Sequence, residues 1–126
     1  MLYLIVFLGA GIGGALRHGV NVGAVKLFGF GFPFGTLIVN IVGSFAIGLF
    51  AGYFAFRPGI GQHMRLFLTT GLLGGFTTFS AYGLQTFELL REGRVGVAAL
   101  NVVASNLLGL LMVFAGYASA KLVGGA

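Results

Sequence analysis

The chain contains no cysteine and no aspartate, and its acids are Glu88 and Glu92 alone. Without cysteine there is no disulfide scaffold, thiolate metal site, cysteine nucleophile or lipid anchor on sulfur. Charge of either sign is scarce, at 7% of 126 residues, against about 25% in an ordinary soluble domain. A soluble fold of this size exposes much of its surface and needs charge to stay dispersed. Hydrophobic residues make up 58% of the chain, with a mean hydropathy of +1.06. The solvent for most of the surface is therefore lipid, which excludes a soluble enzyme and a disordered tail. No nucleophile–base constellation or metal-ligand cluster is visible, so enzymatic chemistry is not expected.

What charge there is leans basic, with a net of +5. The basic residues stand singly, without a Lys/Arg run, so nucleic acid is not an expected partner. They either flank membrane spans or help to collect an anion.

A membrane helix needs about 20 mostly apolar residues. Breaks fall at Lys26 to Pro33, at Arg57-Pro58-Gly59 through Arg65, and at Arg91-Glu92-Gly93-Arg94. They leave four spans, roughly 3–25, 35–56, 66–90 and 95–120, within one domain of residues 1–126. Both prolines lie in connections, where a missing N–H costs nothing in the bilayer. Barrel strands would alternate apolar and polar residues; these segments are apolar all round. The fold class is an all-α membrane protein with four transmembrane helices per subunit.

Positive charge does not orient these spans. Arg57, Arg65 and Lys121 fall on one side; Lys26, Arg91 and Arg94, with Arg17 nearby, fall on the other. By the rule that cytoplasmic loops are the more basic, neither orientation wins. Either features beyond charge fix one orientation, or the chain inserts both ways. In the second case two opposed copies pair about an axis in the membrane plane.

Glycine is abundant, with 24 residues. Gly9 and Gly13, Gly48 and Gly52, and Gly71 and Gly75 repeat at helical spacing. Small residues let helix backbones approach in lipid, so these glycines are expected to pack helices together. Four spans enclose little interior, which favours a pathway built between subunits.

Polar residues form stripes. Thr36, Asn40 and Ser44 share a face of the second span; Asn101, Ser105 and Gly109 share a face of the fourth, with Asn106 beside them. The third span carries Thr69, Thr70, Thr77, Thr78, Ser80 and Gln85. Such groups either bind helices together or line a pathway. Hydroxyl and amide donors without central carboxylates suit an anion better than a cation. Arg17 is a candidate anion collector or a snorkelling anchor. The run from Gly71 to Tyr82 combines glycines with a polar, aromatic cluster and invites a helix break near the midplane. Phe79 and Tyr82 share a face there, and the positive edges of their rings offer contacts to a small anion.

With these motifs in view, the chain resembles the Fluc/CrcB family of fluoride channels over its whole length. The resemblance rests on Gly9-x-x-x-Gly13-x-x-x-Arg17, on Gly35-Thr36-Leu37-x-Val39-Asn40-x-x-Gly43-Ser44-Phe45, and on Gly74-Gly75-Phe76-Thr77-Thr78-Phe79-Ser80. It implies passive fluoride export from the cytoplasm across a bacterial inner membrane. It further implies an antiparallel homodimer with two pores at the interface. A structural sodium ion at the dimer centre would take backbone carbonyls of Gly74 and Thr77. Asn40 matches the pore asparagine; Phe79 and Tyr82 match the aromatic box. Ser80 and Ser105 match the polar track, joined by Thr36. Arg17 matches the vestibule arginine, and Glu88 the acid ending the third span. The chain departs from the family at Ala81-Tyr82, where Thr-Phe is usual, so a hydroxyl moves from one position to the ring of the next. Asn101 stands where a tyrosine is common. Two other readings use the same spans: a small proton-coupled drug exporter, which needs a first-span carboxylate this chain lacks, and a structural subunit of a larger membrane complex.

Overall fold

In a computed structural model, which describes residues 1–124, all regular structure among those residues is helical. Helix α1 spans Leu2–Phe28 and α2 spans Phe34–Phe56. Gly29, with φ of 76°, closes α1 by returning its N–H to the Val25 carbonyl; glycine carries that left-handed turn without a side-chain clash. Pro33 caps α2 from the residue before it, its carbonyl accepting the Leu37 N–H, and its own missing N–H does no harm there. After the turn at Arg57, a third rod starts as α3 (Gln62–Leu66). It widens into a π-helix over Phe67–Leu73 and ends as α4 (Gly74–Phe76). The chain then steps out of helical geometry. Thr77 has φ −84° and ψ 158°, and Thr78 has φ −151° and ψ 122°. Helix α5 (Phe79–Arg91) and helix α6 (Val95–Gly124) complete the chain.

By length and apolarity α1, α2 and α6 each suffice to cross a membrane. The expected third span does not appear as one helix, because the extended pair Thr77–Thr78 divides it. The break falls on the two threonines rather than on the glycines before them. Gly71 and Gly75 stay in helical backbone and lie against Gly9 and Ala10 of α1.

That contact is made of small residues. Gly9 lies over Phe67, Gly71 and Leu72; Gly13 lies over Leu72, Gly75 and Phe76; Gly75 faces Ala10. On the other side α2 packs along α6, with Gly48 against Val113, Gly52 against Tyr117 and Ala120, and Gly116 against Phe45 and Leu49. Lipid supplies no hydrophobic drive between helices, so backbone proximity and dispersion replace it. The interior is correspondingly thin. Val39 and Asn101 are its largest wholly buried side chains, while Phe7, Leu16, Leu110 and Phe114 point outward.

A methyl group on Gly13 would collide with the Leu72 carbonyl oxygen and the Phe76 nitrogen, whereas one on Gly14 meets nothing within 4 Å. Backbone atoms cannot swing aside, so Gly13→Ala is expected to cost at least about 1–3 kcal/mol, and Gly14→Ala is expected to be tolerated. Thermal unfolding of the two variants in detergent separates them; equal midpoints would contradict the packing described.

Candidate functional site

The site is organised by the break after α4. Asn40, in the second turn of α2, reaches across to Thr78 and pairs with it twice. Its Oδ1 accepts the Thr78 N–H at 2.9 Å, and its Nδ2 donates to the Thr78 carbonyl at 3.0 Å. One side-chain amide thus satisfies both peptide groups of a buried residue that has left the helix. Thr78 in turn caps α5, its Oγ1 accepting the Ala81 N–H at 3.1 Å. Thr77 directs its Oγ1 back to the Leu73 carbonyl at 2.9 Å.

This pairing redirects the backbone. The N–H four residues beyond Gly74 is that of Thr78, now taken by Asn40. The N–H four residues beyond Thr77 is that of Ala81, now taken by the Thr78 side chain. The carbonyls of Gly74 and Thr77 are therefore left without these ladder partners. Both residues line a cavity of about 370 Å³, together with Asn40, Ser44, Thr69 and Phe79. The Phe79 ring, first in α5, is 82% exposed beside it.

A second cavity, about 430 Å³, opens at the far end of α5 between the α1–α2 loop and the α5–α6 turn. The Thr36 hydroxyl and the Gln85 Oε1 are buried there without a partner among the described residues. Glu88 lines the same space, and Arg94 donates to the Gly31 carbonyl across its rim. A third cavity, about 470 Å³, lies between α1 and α5 and brings Arg17, His18 and Asn21 opposite Thr78 and Ser80. Arg17 thus shares a cavity with the residue that ends the break.

The fourth-span stripe faces α5. Asn101 donates its Nδ2 to Thr86 Oγ1 at 2.9 Å, Thr86 donates to the Tyr82 carbonyl at 2.8 Å, and Ser105 donates to Asn101 Oδ1 at 3.3 Å. The Ser105 proton is therefore directed inward. Asn101, a candidate pathway residue by its place in the stripe, is wholly buried and binds α6 to α5. Phe79 and Tyr82 do share a face, with ring centroids 5.5 Å apart and planes tilted by 52°. The Tyr82 hydroxyl accepts from Asn106 Nδ2 at 3.1 Å.

The candidate residues are thus divided among three places: Asn40, Phe79, Gly74 and Thr77 at the break, Thr36 and Glu88 at one end, and Arg17 with Ser80 between α1 and α5. Tyr82 and Ser105 belong to the α5–α6 contact. Asn21, which lines two of the cavities, was not singled out by sequence. Its position one helical turn after Arg17, on the same face, was the available signal.

Replacing Asn40 with leucine removes both bonds and leaves a buried peptide unpaired. Asn40→Leu is expected to lower stability by about 2–4 kcal/mol, and Asn40→Asp, which keeps the acceptor for the Thr78 N–H, by less. Denaturant titration in detergent measures the order; equal losses would mean that the N–H to Oδ1 bond contributes nothing.

Comparison with known proteins covers this whole arrangement. Residues 4–117 match the family described as CrcB-like protein, Camphor Resistance (CrcB). A protein of Methylobacterium nodulans named Fluoride-specific ion channel FluC is 57% identical over 107 residues, 85% of this chain and 86% of that one. A protein of the same name from Rhodopseudomonas palustris strain BisB5 is 50% identical over 118 residues, 94% of this chain and 95% of that one. Another from Granulibacter bethesdensis is 56% identical over 108 residues, 86% and 85% of the two chains. At that identity and extent, the chain belongs to the CrcB/FluC fluoride channel family.

Proposed function

We propose that this chain is a fluoride-selective ion channel that lets toxic fluoride leave the cytoplasm passively through a bacterial inner membrane. The observation that carries this reading is the set of donors facing the three cavities. The Thr36 hydroxyl is buried without a partner among the described residues. Asn40 Nδ2 spends one of its two hydrogens on Thr78 and keeps the other. Ser80 and the Arg17 guanidinium share a cavity. Fluoride holds its water tightly, so a pore must replace that shell with strong donors in a confined space. The exposed edge of Phe79 adds a weakly positive contact.

The second half of the pathway comes from a second copy in the opposite orientation, giving two pores at the interface. The even division of basic residues between the two sides supports such pairing. So does the position of Phe79 and the break cavity at the surface of a single chain.

The same pairing suits a structural sodium ion at the dimer centre. The carbonyls of Gly74 and Thr77 lie outside the helical ladder and line one cavity. Unwound carbonyls of this kind are apt ligands for a hard monovalent cation. Two protomers together would offer twice the oxygens of one. The bound ion would supply no chemistry beyond holding the two breaks together.

The test is anion efflux from liposomes containing the purified protein. Fluoride is expected to leave rapidly and chloride much more slowly, and Phe79→Ile is expected to slow fluoride more than about tenfold. No fluoride flux, or equal rates for the two anions, would refute the reading.

A further inference from the structure

The Tyr82 hydroxyl is a polar group that no ring-edge contact requires. It lies on α5 at a half-buried position, its ring beside that of Phe79. Asn106 on α6 fixes it. The two hydrogens of the Asn106 amide have two acceptors, the Val102 carbonyl at 2.8 Å and the Tyr82 oxygen at 3.1 Å. The first bond ties the amide to its own helix and so sets the direction of the second.

That direction has a consequence for the phenol. Its oxygen accepts from Asn106, so a lone pair is occupied and the O–H hydrogen must point elsewhere. Among the described residues that hydrogen reaches no protein acceptor. Accepting one hydrogen bond polarises a hydroxyl and strengthens it as a donor. The amide is itself exposed on a helix whose neighbours Leu107 and Leu108 are apolar. Both hydrogens of that amide are paired, but among the described residues its Oδ1 accepts from no group. An unpaired carbonyl oxygen facing hydrocarbon is costly, so this face is expected to meet a polar path or a partner.

We infer that the Tyr82 hydroxyl is an anion-binding donor, aimed by Asn106, and that this chain takes fluoride there through an O–H group as well as through aromatic edges. Asn106 is a positioning residue, because it acts through the hydroxyl. The inference rests on the reading of the chain as a fluoride channel. A hydroxyl donor also favours fluoride over chloride, since fluoride is the stronger and smaller acceptor.

The experiment is fluoride efflux from liposomes as a function of fluoride concentration, for the unaltered protein, Tyr82→Phe, Asn106→Leu and the pair combined. Tyr82→Phe keeps the ring and its packing. It is expected to raise the half-saturating fluoride concentration about tenfold with little change in the maximal rate, as loss of one hydrogen bond to an ion would do. Asn106→Leu is expected to raise it by a similar factor, and the combination no further than Tyr82→Phe alone. An unchanged half-saturating concentration in Tyr82→Phe overturns the inference, as does a combined effect equal to the product of the two. Should Asn106→Leu fail to assemble, Tyr82→Phe decides alone. Absence of flux in the unaltered protein counts against the channel reading instead.

Discussion

The architecture depends on one side chain meeting one peptide. A transmembrane segment cannot leave helical geometry without exposing N–H and C=O groups to hydrocarbon, where each costs several kcal/mol on the order of other buried polar groups. At Thr78 the chain does leave it, and Asn40 supplies the donor and the acceptor that the helix no longer gives. An amide is the side-chain group that can match a peptide in both senses at once. An ionised aspartate in that position would satisfy only the N–H.

From this pairing follow the features that make a site. The Gly74 and Thr77 carbonyls are released because their ladder donors are bound elsewhere. Helix α5 starts afresh, capped by Thr78, and its first residue Phe79 is presented at the surface. The glycine contacts of α1 with the rod before the break hold that rod in place, while α2 is held by α6. Asn40 therefore adds a hydrogen-bonded link between two packed pairs that also touch directly, at Gly35 against Asn21 and at Gly43 against Thr77. Donors are distributed along the resulting crevices, and the acids stay at the end of α5.

Much of this was legible in the residues. Apolar runs punctuated by Pro33, Pro58 and the Arg91–Arg94 cluster locate the helices, because charge and proline are hard to place in a bilayer. Glycine pairs at helical spacing announce close contacts, and Gly9, Gly13, Gly48, Gly52, Gly71 and Gly75 all make them. The break was legible as a region, but its residue was not. The run Gly71 to Tyr82 marked the region, and tertiary pairing sets the break within it at Thr77–Thr78, where a threonine can also cap the next helix. Asn40 and Thr78 are 38 residues apart, and nothing local ties them. Likewise the fourth-span stripe reads equally well as pathway or as glue. Only the direction of its bonds shows that Asn101 faces α5, and only the hydroxyl gained at Tyr82 gives Asn106 a partner across that contact.

Asn40 holds the break, and hydrogen exchange at the Thr78 amide reports on that hold. That N–H lies outside any helical ladder, so its protection depends on Asn40 Oδ1. The amide is expected to exchange slowly in the intact protein and rapidly in Asn40→Leu, with amides in the middle of α1 and α6 unchanged. Fast exchange in the intact protein, or protection that survives Asn40→Leu, would mean that the break is held by something other than Asn40.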